Sequence, residues 1–239
     1  MSQHEILNPA DHGNLRVRNE AGATLGDNVM ACLAMPAEFR AVQAHYPIVF
    51  RRDIATGKLS ALALFGFESG ENLFLAGDKW DALYRPLALS VQPFLIGHPA
   101  SGDDVPQVHV DMAHARISTS GEGVRVFDDS GRPTPYLEAI ATRLGDLDHA
   151  YRASDAFFAV LERYELIEPF SLEVTLDSGS QQSLVGYQTI NEDRLAALDG
   201  EAMQVLMAEG HLGPIFMALA SLSQFPALVA RKNARMTGG

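Results

Sequence analysis

The sequence predicts an α+β protein, strand-rich in its N-terminal half and helix-rich with a β-hairpin in its C-terminal half, the two sharing one core. Three observations carry that prediction. Short apolar runs separated by turn residues fill the chain as far as Gly131. From Arg132 the pattern changes: Leu137, Ile140, Ala141, Leu144 and Leu147, then Phe157, Phe158, Leu161 and Tyr164, keep a three-and-four spacing. Finally, Phe170, Leu172, Val174 and Leu176 alternate with Ser171, Glu173 and Thr175, and a turn at Asp177-Ser178-Gly179-Ser180 leads back into Leu184 to Ile190.

Taken in order, Leu15 and Val17 alternate with polar neighbours as a short half-buried strand does. Pro36 to Ala44 reads as a short helix with Phe39 and Val42 on one face. Ile48 to Phe50 and Leu59 to Phe67 form a hairpin across Asp53 to Lys58, and the second strand, apolar on both faces, is placed centrally. Leu73 to Leu75 follows a turn at Glu68-Ser69-Gly70 as another strand. Ala82 to Val91 is expected to be helical despite Pro86, with strands at Phe94 to Ile96, Val108 to Met112 and Val124 to Phe127. The three-and-four region is one long helix or two abutting ones, with Gly145 the weak point. Asn191 caps the helix of Leu195 and Leu198, and a further helix covers Glu201 to Ala208.

From Leu212 to Ala230 no residue is charged. A membrane-spanning helix needs about 20 predominantly apolar residues, but this run contains Gly213, Pro214, Ser221, Ser223, Gln224 and Pro226. It reads instead as a hairpin of two short buried helices broken near Leu222, without stable membrane insertion. The first thirteen residues are polar and mixed, with no basic start before an apolar run, so a cytoplasmic location is expected.

Composition excludes several partners. Of 239 residues, 47% are apolar and 20% charged, enough for a sizeable core. The 18 Lys and Arg face 30 Asp and Glu, a net charge of -12, which argues against nucleic acid and anionic membrane surfaces. One cysteine, Cys32, excludes an intrachain disulfide and a Cys-rich zinc site.

The common site signatures are absent: no phosphate loop, dinucleotide fingerprint, His-Glu-x-x-His or Gly-x-Ser-x-Gly elbow. Three local features remain. His109 and Asp111, two apart on a strand, project from one face, with His114 following. His149 or His211 could complete a two-His-one-carboxylate iron site, and the plainer reading is a polar pair on an edge strand. Cys32, in the apolar stretch Met30 to Met35, reads as a small hydrophobe rather than a nucleophile. Trp80, with Tyr84 four residues on, forms an aromatic cleft wall if Lys79 onward is helical, and core packing is the alternative. The cations Arg231, Lys232 and Arg235 are expected to complement the carbonyl end of the last helix.

Several segments in joint order resemble the SapC family, named for an S-layer-associated bacterial protein. They are His45-Tyr46-Pro47-Ile48-Val49-Phe50, Gly66 to Phe74, Trp80 before Tyr84-Arg85-Pro86-Leu87, and Gln92-Pro93-Phe94. Downstream come Val126 to Thr134, Leu166-Ile167-Glu168-Pro169, Leu184-Val185-Gly186-Tyr187, and the last helices with Ser221-Leu222 and Leu228-Val229-Ala230-Arg231. The likeness spans nearly the whole chain and so implies a single domain over residues 1–239, with a strand-rich part at about 15–131 and a helix-rich part at about 132–235.

It implies little chemistry. Members accompany outer-membrane nutrient receptors, halogenase-like flavoproteins and cupin-like oxygenases, and many carry a transporter-permease label. The family pattern has an aspartate matching Asp111 but calls for no histidine at position 109. Residues around Trp80 recur in it, implying a ligand- or partner-binding role for Glu71, Asn72, Trp80 and Tyr84. The expectation is an accessory or binding protein with no cofactor and no catalysis of its own, for a protein or small-ligand partner. The alternatives are a non-haem iron enzyme using His109 and Asp111, and a membrane or S-layer secretion component.

Overall fold

A computed structural model describes residues 2–97 and 106–237. In chain order the elements are β1 (His4–Ile6), α1 (Pro9–His12), β2 (Arg16–Val17), β3 (Ala31–Leu33), α2 (Phe39–Val42), β4 (Ile48–Arg52), β5 (Leu59–Leu64), β6 (Leu75–Ala76) and β7 (Lys79–Trp80). They continue with α3 (Leu87–Ser90), β8 (Phe94–Gly97), β9 (Gln107–Asp111), β10 (Val124–Arg125), α4 (Pro135–Arg163), β11 (Ile167–Thr175) and β12 (Gln181–Ile190). The helices α5 (Glu192–Ala196), α6 (Gly200–Ala208), α7 (Leu212–Ser221) and α8 (Phe225–Thr237) complete the chain. The fold class is α+β, as the sequence predicts.

The residues group into two compact units, each interleaved in sequence. The first comprises Met1–Asn28, Leu75–Trp80 and Leu87–His149. Its three-stranded antiparallel sheet has the order β1-β9-β8, and β2–β10 and β6–β7 are separate two-stranded ribbons. Val17, Phe94, Val110, Phe127, Ile140 and Leu144 are among the side chains forming its buried cluster. The second unit comprises Val29–Phe74, Asp81–Pro86 and Ala150–Gly239. Its antiparallel sheet has the order β11-β12-β4-β5-β3. Phe39, Tyr46, Phe50, Phe65 and Phe157 are buried there, with Phe39 edge-on to Phe157 at 5.9 Å and Tyr46 edge-on to Phe65 at 5.1 Å between ring centroids. Such edge-to-face pairs add to the stabilisation that burial gives.

Strong periodicity predicts the helical region after Arg132 and the hairpin, and the structure decides between one helix and two. The three-and-four region is one helix, α4, which runs through Gly145, and the alternating pair is the hairpin β11–β12. Its register shifts between Phe170 and Leu172, a bulge that bends this edge strand. Pro36 to Ala44 becomes a 3₁₀ turn, Pro36–Glu38, followed by α2 with Phe39 and Val42 buried.

Other expectations are corrected. No helix spans Ala82 to Val91: only Leu87–Ser90 is helical, because Pro86 removes a backbone donor and keeps Arg85 from the helical region. The strand expected at Leu73 to Leu75 lies instead at Leu75–Ala76, paired with Lys79–Trp80 across a turn where Gly77 has φ 66°. Residue 77 therefore needs glycine.

The uncharged run is not a hairpin. α7 passes through a 3₁₀ turn, Leu222–Gln224, into α8. Leu212–Thr237, with a mean hydropathy of 1.6 in its most apolar window, is long and apolar enough to cross a membrane by length and composition. Here Ile215, Ala218, Ser221, Phe225, Leu228 and Lys232 form a buried stripe along it. Such three-and-four spacing seats one helix face on a core, and α7 packs on α2, α6, β4 and β12.

Candidate functional site

With no helix at Asp81 to Pro86, that stretch is a loop, and its side chains are held from below. The Tyr84 hydroxyl donates to Glu38 Oε2 at 2.7 Å. Glu38 Oε1 accepts the Met35 N–H at 2.9 Å, and the Tyr46 hydroxyl donates to the Tyr84 carbonyl. Glu38 is buried, so these donors supply what water would otherwise give its carboxylate. Burial pushes the Tyr84 phenol up, and the Glu38 hydrogen bond and charge add to this. Tyr84 is a neutral donor at physiological pH.

At the other end of the loop, Arg231 donates to the Asp81 carboxylate at 2.6 Å and to the Asp81 carbonyl at 3.1 Å. Its guanidinium lies 4.3 Å from the centroid of the Phe74 ring. Between these fastenings Leu83 stands 96% exposed.

Glu71 and Asn72 occupy the preceding turn. Glu71 Oε2 accepts the Phe67 N–H at 2.9 Å, and Oε1 accepts from Lys232 Nζ at 2.6 Å. Lys232 also donates to Glu68 Oε1 at 3.1 Å. Burial disfavours the Lys232 ammonium, but the two carboxylates outweigh it and raise its pKa. The Asn72 side chain accepts the Phe74 N–H at 2.9 Å, and its carbonyl accepts from Arg235 at 2.9 Å. The C-terminal cations thus fasten a remote loop rather than the carbonyl end of their own helix. Sequence reading misses this because the partners lie about 150 residues away.

Of the four residues singled out, Glu71, Asn72 and Tyr84 belong to the second unit and Trp80 to the first. Trp80 is half-buried on β7, opposite Leu75. It shares no helical face with Tyr84, since Lys79–Trp80 is a strand.

His109 and Asp111 do lie two apart on β9. The His109 ring lies against Gly97, where an added Cβ would fall 2.2 Å from Nε2. Asp111 Oδ1 accepts the N–H groups of Gln3 at 2.8 Å and Ala113 at 3.1 Å. The Gln3 donor above all holds its carboxyl below the ordinary range; burial opposes it, and the Ala113 donor adds to the lowering. His149 is exposed on α4. The His114 ring accepts the Arg116 N–H at 3.1 Å, and burial, then Arg116, lowers its pKa. His211 packs against Phe157 at 5.9 Å. Among the described residues no three His, Cys, Asp or Glu side chains group to hold a metal ion, so the third ligand the iron alternative requires is not found there.

Burial, and then the Glu38 charge, pushes the Cys32 thiol far above its ordinary value. It donates to the Leu33 carbonyl at 3.4 Å. A protonated thiol is a poor nucleophile.

Two concavities are described, one in each unit. A polar cleft of about 410 Å³ in the first is lined by Pro9, Asp11, His12, Met112, Arg125 and Asp128, among others. Several of its charges are already engaged: Arg125 with Asp129 at 2.5 Å, Asp128 with Arg132 at 2.9 Å, and His12 with Glu5 at 3.3 Å. A slot of about 170 Å³ in the second has Met35, Leu59, Ala61, Tyr151, Ser154 and Phe158 among its walls.

Of the sequence-derived residues, Tyr84 lies on the fastened loop, Glu71 and Asn72 lie in the turn before it, and Trp80, His109 and Asp111 belong to the other unit. Leu83 and Glu38 were not anticipated. The one available signal for Leu83 was Pro86, whose cost to a helix leaves the preceding residues in a loop.

No curated protein and no solved structure matches the chain. The SapC family model matches residues 7–228, and with it the order of segments from the Tyr46 strand entry to the C-terminal helices falls into place: the chain belongs to the SapC family.

Proposed function

We propose that the protein is an accessory or binding module without catalysis of its own, and that it meets a protein partner at the Asp81–Pro86 loop. The reading rests on one observation: Leu83 is 96% exposed on a loop fastened at Asp81 by Arg231 and at Tyr84 by Tyr46 and Glu38. An exposed leucine alone is ordinary. One on a loop already held in place loses little conformational freedom on binding, so more of its burial energy remains for association. Burying such a side chain contributes roughly 1.5–3 kcal/mol. Tyr84 stands at this surface, Glu71 and Asn72 anchor its support, and Trp80 is not needed for the reading. The Cys32 thiol, kept protonated by burial and bonded to the Leu33 carbonyl, is not poised as a nucleophile.

The test uses the full chain and its Leu83→Asp variant as paired baits in extracts of the native host, with quantitative mass spectrometry. The variant should melt within about 1 °C of the parent, since exposed substitutions move stability little. It should lose at least about tenfold of any specific partner. Identical captures by both baits would sink the assignment of this loop.

A further inference from the structure

The turn that follows β9 is folded around a histidine ring. His114 Nδ1 accepts the Arg116 N–H at 3.1 Å. An imidazole nitrogen that accepts carries no proton, so this ring is neutral and its hydrogen sits on Nε2. The Ile117 N–H donates to the His114 carbonyl at 3.0 Å and tightens the same turn. What the turn aims inward is Arg116, only 1% exposed. Its guanidinium donates to the carbonyls of Arg18 and Glu20, each at 2.8 Å, and to Asp27 Oδ2 at 2.7 Å. Asp27 is itself fully buried, and the same oxygen accepts the Gly22 N–H at 2.9 Å. One side chain thus gathers the whole of loop 18–27.

The His114 ring also rests on that loop directly. A Cβ added at Gly26 would fall 3.2 Å from its Cε1 and 3.3 Å from its Nε2. Gly26 has φ 91°, so the backbone and the ring both call for glycine there. Three charged groups act on the ring: Arg116 of its own turn, Asp111 at the end of β9, and Asp27 of the loop. The two carboxylates favour the imidazolium. Burial first, and then Arg116, oppose it more strongly, so the His114 pKa is lowered. A proton on Nδ1 would set two donors against each other at the Arg116 N–H. It would also add a second cation beside a buried guanidinium.

We propose that His114 is an acid-sensitive latch on loop 18–27. Neutral, the ring holds the turn that aims Arg116 into the loop; protonated, it releases the turn and loosens the Arg116 clamp. The inference goes beyond the Leu83 reading and lies wholly within the first unit. Opening frees an ordinary histidine, whose pKa is about 6.5. The latch is therefore fully held above that value and weakens as pH falls through it toward the lowered value of the closed form. Since the closed form refuses the proton at Nδ1, the open-to-closed ratio rises about tenfold between pH 7.5 and pH 5.5. Asp111 stays ionised throughout this window, because its own pKa lies below the ordinary carboxylate value.

The test measures amide hydrogen exchange of the full chain by NMR at pH 7.5 and pH 5.5, corrected for the intrinsic rates. Arg116 and Gly22 should lose about tenfold in protection at the lower pH. Ile140, buried on α4 in the same unit, should keep its own. His114→Asn removes the titrating ring and keeps an acceptor, since an asparagine side chain takes the N–H two residues on. In that variant Arg116 should stay equally protected at both pH values. A second measurement needs no variant: in the parent, the His114 ring signals and the Arg116 amide signal should titrate with one shared midpoint. Equal Arg116 protection at both pH values overturns the proposal, and so do separate midpoints. A fall at Ile140 matching that at Arg116 overturns it as well, as does a loss of Arg116 protection that persists in His114→Asn.

Discussion

Asp111 couples acid stability to a strand end. Its carboxylate takes the N–H groups of Gln3 and Ala113 beside β1 and β9, and its folded-state pKa lies below the ordinary value. The unfolded chain therefore takes up the proton first as pH falls. The stabilisation from this charge is fully present above the ordinary carboxylate range, near pH 3.9, and disappears as pH falls through the depressed folded value. Asp111→Asn keeps an acceptor oxygen and removes the charge. It should be less stable than the parent at pH 7, with the gap closing toward pH 3, as read by urea unfolding at pH 7, 5 and 3. A gap independent of pH would show that the charge is not the cause. The sequence made His109 and Asp111 neighbours on one strand face, and they are. What it left open was whether a third ligand faces them, which depends on elements far away in sequence. For Lys232 the same distance concealed a partner: nothing local distinguishes a helix-end cation from one buried against Glu71 and Glu68.

At the scale of elements, Ser221 fixes where α7 lies on the sheet. Its hydroxyl accepts the Ile48 N–H at 2.8 Å and donates to the Ala218 carbonyl at 2.6 Å. Ile48 opens β4 and is fully buried, so Ser221→Ala strands a backbone donor away from water. It should cost about 1–3 kcal/mol, measured by thermal or urea unfolding. Ser223→Ala, two residues on and exposed, is the control and should change stability by under about 0.5 kcal/mol. Among the elements read correctly from sequence, α4 and the hairpin β11–β12 have a pattern that repeats over many residues, and β4, β5, β8 and β9 are apolar runs bounded by turns. The ones not read, β1, β3 and β6–β7, are two or three residues long. A strand that short is legible only where apolar neighbours extend its pattern, as Leu15 does for β2. β1 and β3 exist because distant residues pair with them: His4 with Asp111, and Ala31 with Leu64.

For the molecule as a whole, the chain passes between its two units after Asn28, Phe74, Trp80, Pro86 and His149. The last passage falls inside α4, which continues without interruption. We expect the protein to unfold as one cooperative domain. Trp80, the only tryptophan, reports on the first unit, and far-UV circular dichroism reports on helices found mainly in the second. Urea midpoints from the two probes should coincide, and separated midpoints would establish two independent domains.

Composition and periodicity by themselves determined the α+β class, the helical character of the region after Arg132 and the hairpin, because those depend on local spacing and on a favourable apolar fraction, whereas the structure decided that the helix is unbroken at Gly145. The order of segments determined the family. Only the tertiary structure decided that Leu83 faces outward from a fastened loop. It alone showed that Lys232 pairs with Glu71 and Glu68. Each of these rests on which distant groups meet, and a chain specifies such meetings through packing of the whole fold rather than through any local pattern.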